Sequence, residues 1–375
     1  VTVPAPSKLL ILAPLVVPLI SKVPVAVTLL DAAIAPLPLK IKVPPAPIVV
    51  APVYVFTAVN VNVLEPDIVR VELPPESIIG APIDSGTSHR SGAKLGPQAI
   101  RMGDYLPHDG ERPHLTFRVD SLKDLKVFDA GDLLMPGMDL LKSLKVLEAA
   151  TEKISRAGAI AVILGGDHSI ASADVAGIAN HLGKGKVSMI HFDAHADTGE
   201  DQWGALVGHG TPMRRLIESG AVRGDRFLQL GLRGYWPDNK TIEWMRDQKM
   251  RSYEMTEIHH RGMKAVLDES FATLTDGCDG VFLSVDIDVV DPGMAPGTGT
   301  PEPGGMTSRE LLETVRRICL ELPIVGIDVV EVAPPFDSAD ITAILANRVV
   351  LEALSAITAR KKGIKYHPTQ NLLDR

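Results

Sequence analysis

The chain has 375 residues, 45% of them hydrophobic and 22% charged, with a formal net charge of −8. That acidic balance argues against a general nucleic-acid binder, which is usually basic. Two cysteines, Cys278 and Cys319, give neither a disulfide framework nor a thiolate metal cluster; they suit a reducing compartment, and a cytoplasmic location is expected.

Residues 1–77 differ from everything after them. They hold 14 of the 29 prolines and none of the 32 glycines, and five basic residues balance five acidic ones. Proline at this density suits neither a helix nor a central strand. No apolar run there is long enough for a membrane span: residues 9–20 are broken by Pro14 and Pro18, and residues 25–35 contain Asp31. The expectation is an atypical Pro-rich extension, disordered or spurious, with a family-specific arm or a targeting segment as alternatives.

From residue 78 the pattern becomes regular. Residues 78–83 predict a short strand, followed by a polar, Gly-rich loop over 84–92. Gly96-Pro97 starts a helix running to Tyr105. Residues 126–129 predict a strand, and the apolar spacing over 138–156 predicts a helix. Strands over 159–164, 187–192, 226–231, 280–287 and 324–330 then alternate with helices near 169–182, 211–219, 239–248, 259–274, 307–320 and 340–360. Such alternation predicts a single α/β domain over 78–375, its parallel sheet covered on both faces.

Four of these strands end in groups that a hydrophobic core cannot use. The strand 187–192 delivers Asp193, His195 and Asp197. The strand 280–287 runs into Asp286 and Asp288, which share a face if the strand continues. Gly165-Gly166-Asp167-His168 follows 159–164, and Glu331 follows 324–330. Open α/β sheets collect ligands at these C-terminal strand ends. Unpaired charges buried together cost several kcal/mol, so the four carboxylates of Asp193, Asp197, Asp286 and Asp288 and the imidazoles of His168 and His195 point to cations. Two divalent ions balance the four carboxylates; one leaves the site too anionic. Oxygen donors with two imidazoles suit Mn²⁺ better than a thiolate-rich zinc site. Two metals can bring a bridging water close to ionisation at neutral pH, making hydroxide the nucleophile of a metal-assisted hydrolysis.

Gly166-Asp167-His168-Ser169, Asp193-Ala194-His195-Ala196-Asp197 and the run from Ser284 to Pro292 resemble the three signature motifs of the ureohydrolases. The continuation from Ala295 to Glu302 is similar to their agmatinase-like branch. The resemblance covers about residues 78–360. It implies the arginase-like three-layer α/β fold, an eight-stranded parallel sheet with helices on both faces, and a binuclear manganese centre. One metal is implied on His168, Asp193, Asp197 and Asp286, the other on Asp193, His195, Asp286 and Asp288, with Asp193 and Asp286 bridging. The resemblance further implies that His209 shuttles protons and that Glu331 meets the substrate guanidinium through a two-point contact. Asp197 is implied to pass the hydroxide proton to the leaving amine.

The implied reaction is hydrolysis of a guanidinium C–N bond, most directly agmatine to putrescine and urea. The alternative of the same chemistry is 4-guanidinobutyrate. An Arg or Lys at the substrate tail, with Arg90, Arg214 and Arg215 as candidates, would favour the acid; an acidic group would favour agmatine. A one-metal deacetylase and a metal-binding regulator without catalysis are the readings from other classes. The four Asp oppose the first, and the presence of His209 and Glu331 opposes the second. The expected partners are a small guanidino substrate and further copies of the chain, as a trimer or hexamer, with no nucleic acid or membrane. Phe336 and Met213 depart from the Tyr and Phe frequent in related sequences. Asp167 and Asp291 are expected to form turns, His191 to pack behind the site, and Arg233 to pin loops. The loop 86–92 is read equally as an entrance wall or a tight turn.

Overall fold

Eight parallel strands form one sheet in the order β2-β1-β3-β8-β7-β4-β5-β6. They are β1 (Glu76–Ala81), β2 (Val127–Asp132), β3 (Ile160–Gly165), β4 (Val187–Phe192), β5 (Val222–Leu232), β6 (Arg251–Glu254), β7 (Gly280–Asp286) and β8 (Ile324–Val330). The structure is a computed structural model that describes residues 76–105, 112–136, 138–369 and 371–374. The expectation for residues 1–77 therefore lies outside the described residues, apart from Glu76 and Ser77, which open β1.

Ten helices cover the sheet among the described residues: α1 (Gly96–Met102), α2 (Ser121–Asp124), α3 (Leu140–Arg156), α4 (Ala171–Leu182), α5 (Pro212–Glu218), α6 (Asn239–Asp247), α7 (Met255–Arg261), α8 (Met263–Thr275), α9 (Ser308–Glu321) and α10 (Ile341–Lys361). Strand alternation sorts their contacts onto two faces. On one face Val162 and Leu164 of β3 pack with α8, α9 and α10. On the other, Ala161 and Ile163 pack with α3, α4 and α5. Every residue of β4 and β7 is buried, so the central strands read as continuous apolar runs rather than alternating ones. α10 is apolar enough in length and composition to cross a membrane, but 67% of its most apolar window is buried in this domain.

Three features differ from the sequence expectations. β6 was not predicted; it is a four-residue strand with one fully buried apolar side chain, Tyr253. The helix expected over 259–274 is two helices, α7 and α8, parted at Gly262, whose φ of 80° ends the first. The helix from Gly96 stops at Met102 rather than Tyr105, at Gly103.

The register levels the strand ends that matter. His191 pairs with Ser284 across β4 and β7, and Ser284 with Asp328 across β7 and β8. The residues that follow β3, β4, β7 and β8 therefore emerge side by side. Among the described residues β8 is the last strand; it lies between β3 and β7 and joins the two halves of the sheet.

Candidate metal centre

Each strand end turns sharply to deliver its side chains. After β3, Gly166 lies so close to the chain following β1 that a Cβ there would sit 2.1 Å from the Ile83 carbonyl oxygen. Only glycine fits, and this contact sets where His168 begins its turn. Asp167 caps that turn through the Ser169 amide. After β7, Asp286 accepts the Asp288 amide at 2.9 Å. Of the non-glycine residues in the left-handed region, two follow these strand ends: Asp197 with φ 52° and Glu331 with φ 62°. Such backbone costs about 1 kcal/mol or more each and is held by bonds from Met213 N to Asp197 O and from Glu331 N to Gly166 O.

All six expected ligands converge. His168 Nδ1 lies 3.2 Å from Asp193 Oδ2, 3.2 Å from Asp197 Oδ2 and 3.1 Å from Asp286 Oδ2. His195 Nδ1 lies 3.3 Å from Asp193 Oδ1 and 3.0 Å from Asp288 Oδ2. Asp193 thus offers one oxygen to each group. Asp286 reaches the second group through its hydrogen bond to Asp288 rather than by a direct contact with His195. One ring nitrogen carries at most one proton, yet three carboxylate oxygens converge on His168. That surplus of acceptors is the donor set of a cation site. The residues fit two hard-to-borderline divalent ions and offer no thiolate.

His209 and Glu331 stand beside this cluster. His209 Nδ1 is 2.9 Å from Glu331 Oε1, which also accepts the His168 amide at 2.8 Å. Glu331 Oε2 is buried with no hydrogen-bond partner. A cavity of about 300 Å³ opens over the cluster, lined by His195, Asp197, His209, Ser88 and, toward its mouth, Asp201, Trp203 and Trp236.

The model of the Arginase family matches residues 76–356. The chain belongs to the arginase family. A guanidinobutyrase of Pseudomonas aeruginosa is 34% identical over 282 residues, 75% of this chain and 86% of that protein. The mitochondrial agmatinase of Gallus gallus is 36% identical over 287 residues, 76% of this chain and 82% of the relative. The solved proclavaminate amidino hydrolase from Streptomyces clavuligerus superposes with a TM-score of 0.70 at 34% identity, covering 76% of this chain and 93% of that one. As an arginase-family member, the chain is a hydrolase of C–N bonds in linear amidines and acts on small guanidino compounds. Its eight-stranded parallel sheet with helices on both faces is the expected arginase-like fold.

Within this arginase-family site the protonation states follow from crowding. Burial, then the neighbouring Asp288 and Asp193, push the Asp286 carboxyl well above its usual range. Burial and Asp193 raise Asp197 as well. For Asp193, burial is outweighed by hydrogen bonds from His168, His191 and His195, which hold it well below the usual range. The imidazoles respond in kind: burial opposes charge on His195, but Asp288 and Asp193 push it up to about 12. His209 is also opposed by burial and is pushed up to about 9, chiefly by Glu331.

Side chains behind the site fix its orientation. Ser252 donates to Gln229 Oε1 at 2.8 Å, so the Gln229 amide nitrogen faces Ala196 O at 2.7 Å and His191 Nδ1 at 3.1 Å. His191 Nδ1 accepts, its Nε2–H donates to Asp193 Oδ2 at 2.9 Å, and the ring steers Asp193 without competing for a cation. Ser284 donates to Asp328 at 2.8 Å and so accepts from His168 Nε2 at 2.9 Å, which leaves Nδ1 toward the carboxylates. Arg233 pins loops through the carbonyls of Gly231, Asp288 and Glu302. The sequence reading missed Ser88 and Gln229. Gln229 sits in a predicted strand and carries no motif signal; Ser88 lies in a loop that was singled out, but its partner is 121 residues away.

Proposed function

We propose that this chain hydrolyses agmatine to putrescine and urea, using a pair of manganese ions. The choice of substrate rests on the pocket mouth. Its described lining includes Asp201, Trp203 and Trp236 and neither arginine nor lysine. A carboxylate and two indole rings suit an ammonium tail; a carboxylate tail would face like charge. The cations would be held by His168, Asp193, Asp197 and Asp286 on one side and by Asp193, His195, Asp286 and Asp288 on the other. When bound, they supply the Lewis acidity that makes water a nucleophile at neutral pH.

The chain's own residues do the rest. Glu331 Oε1 already has two donors, so Oε2 is the oxygen that takes a guanidinium N–H and turns the guanidinium carbon toward the attacking water. Asp197 carries the attacking group's proton to the leaving nitrogen, and His209 supplies the proton that converts the freed amine to an ammonium. The sequence resemblance further supports a trimeric or hexameric enzyme, and the two cysteines, both free thiols, suit a reducing compartment such as the cytoplasm. A second reading, 4-guanidinobutyrate, draws support from the 34% identity to the Pseudomonas aeruginosa guanidinobutyrase. Urea release by the manganese-loaded protein against a guanidino panel tests both. Agmatine is expected to lead in kcat/KM by about tenfold or more. The reverse ranking selects the second reading, and absence of urea with every compound overturns both.

A further inference from the structure

We propose that Ser88 relays the proton between His209 and the substrate pocket, an inference that rests on the role given to His209 above. Both nitrogens of this ring, which is 8% exposed, are engaged. Nδ1 faces Glu331 Oε1 at 2.9 Å. A carboxylate in this position accepts, so Nδ1 keeps its proton throughout. The exchangeable proton therefore sits on Nε2. That nitrogen faces Ser88, with Oγ at 2.6 Å and the Ser88 amide at 3.0 Å. Ser88 in turn lines the cavity with His195 and Asp197.

The two Ser88 groups act differently. The backbone N–H only donates, so it favours the neutral ring and helps it release its proton. The hydroxyl donates to a neutral ring and accepts from a protonated one, so it can pass a proton without gaining charge. The charged groups that act most strongly on the ring are Glu331, Asp197 and Asp167; all three are acidic and favour its protonation. The serine is held in place rather than resting there by chance. Gly86 donates to Asp167 Oδ2 at 2.7 Å, and its carbonyl accepts from His209 N at 3.0 Å and Gln202 Nε2 at 2.9 Å. Gly92 N ties the loop's far end to Asp84 at 2.9 Å.

The step balances. After C–N cleavage the freed amine uses its lone pair to take the Ser88 Oγ proton, while Oγ takes the proton from His209 Nε2. An alkylammonium, a neutral hydroxyl and a neutral imidazole result. The ring regains its proton from the next water that enters the site and is ionised there.

The test compares Ser88→Ala and Ser88→Thr with the wild-type, manganese-loaded full chain on agmatine, across pH and in H₂O/D₂O mixtures. Ser88→Ala is expected to lower kcat about 10- to 100-fold with KM changed less than about threefold. Its alkaline limb should move to lower pH, because the acceptor that stabilises protonated Nε2 is gone. The curved proton inventory of the wild type should become linear. Ser88→Thr, which keeps the hydroxyl, should restore most of kcat. Wild-type kcat and pH profile in Ser88→Ala overturn the relay. So does equal damage in both variants with an unmoved alkaline limb, which marks a structural role. A wild-type enzyme that releases no urea from any guanidino compound fails at the prior reading instead, and removes the relay with it.

Discussion

Loading this site with two divalent cations should release about two protons near neutral pH. The count comes from the imidazoles. His195 is pushed up to about 12, burial opposing, by Asp288 and Asp193. His168 is held well above the ordinary histidine range by Asp193, Asp197 and Asp286, again against its burial. Both rings therefore carry an extra proton in the metal-free protein, and Nδ1 of each faces carboxylates. A cation needs that nitrogen's lone pair, so each ring must give up one proton to ligate. Asp286, its carboxyl pushed up by burial and its acidic neighbours, can only add to that count. Metal affinity should then rise with pH, with a log–log slope near two, and weaken as acid returns the protons. Calorimetric titration of Mn²⁺ into metal-free protein, repeated in buffers of different ionisation heat, counts the protons directly. Heats independent of the buffer would refute the claim that imidazolium balances these carboxylates.

Three further outcomes can be measured. Glu352 takes two bonds from Arg316, at 2.8 and 3.0 Å, and one from His114 at 3.1 Å; these outweigh its burial and hold its carboxyl below the usual range. A depressed folded-state value gives stability that is full above the unfolded pKa and is lost as pH falls through the folded one. Glu352→Gln should therefore cost about 2 kcal/mol at neutral pH and less in acid, and equal urea midpoints at neutral pH would contradict this. Asp201→Asn should raise KM for agmatine about three- to tenfold, with kcat little changed, since Asp201 is exposed and screened; unaltered KM would remove the carboxylate from tail recognition. Gly166→Ala brings a Cβ within 2.1 Å of the Ile83 carbonyl and 2.7 Å of that of Ala81, and should destabilise the fold by about 3 kcal/mol or fail to give soluble protein. A wild-type melting temperature would show that the chain after β1 can give way.

The sequence made the centre of this molecule legible and its periphery less so. β4 and β7 are buried on both sides, so their apolar runs stand out, and the charged groups that follow them break the pattern visibly. β6 escaped because an edge strand of four residues, three of them polar, has no period to detect. The single helix expected over 259–274 ignored Gly262, whose positive φ ends one helix before the next begins. Within the site, the six clustered Asp and His residues carry local spacing signals. Ser88, Gln229 and Asp328 do not: each acts through a partner brought near by sheet order and loop closure, which no window of adjacent residues encodes.

The position of β8 has a consequence for how the enzyme comes into being. Residues 324–330 leave the ribosome after every other described strand, yet they fill the gap between β3 and β7. Without β8 the edges of β3 and β7 have no common partner strand, and nothing in the sheet holds His168 beside Asp286. Catalytic competence therefore requires β8 to be in place. A product truncated before Ile324 would leave the edges of β3 and β7 unpaired, which makes premature termination a route to aggregation rather than to a weakened enzyme.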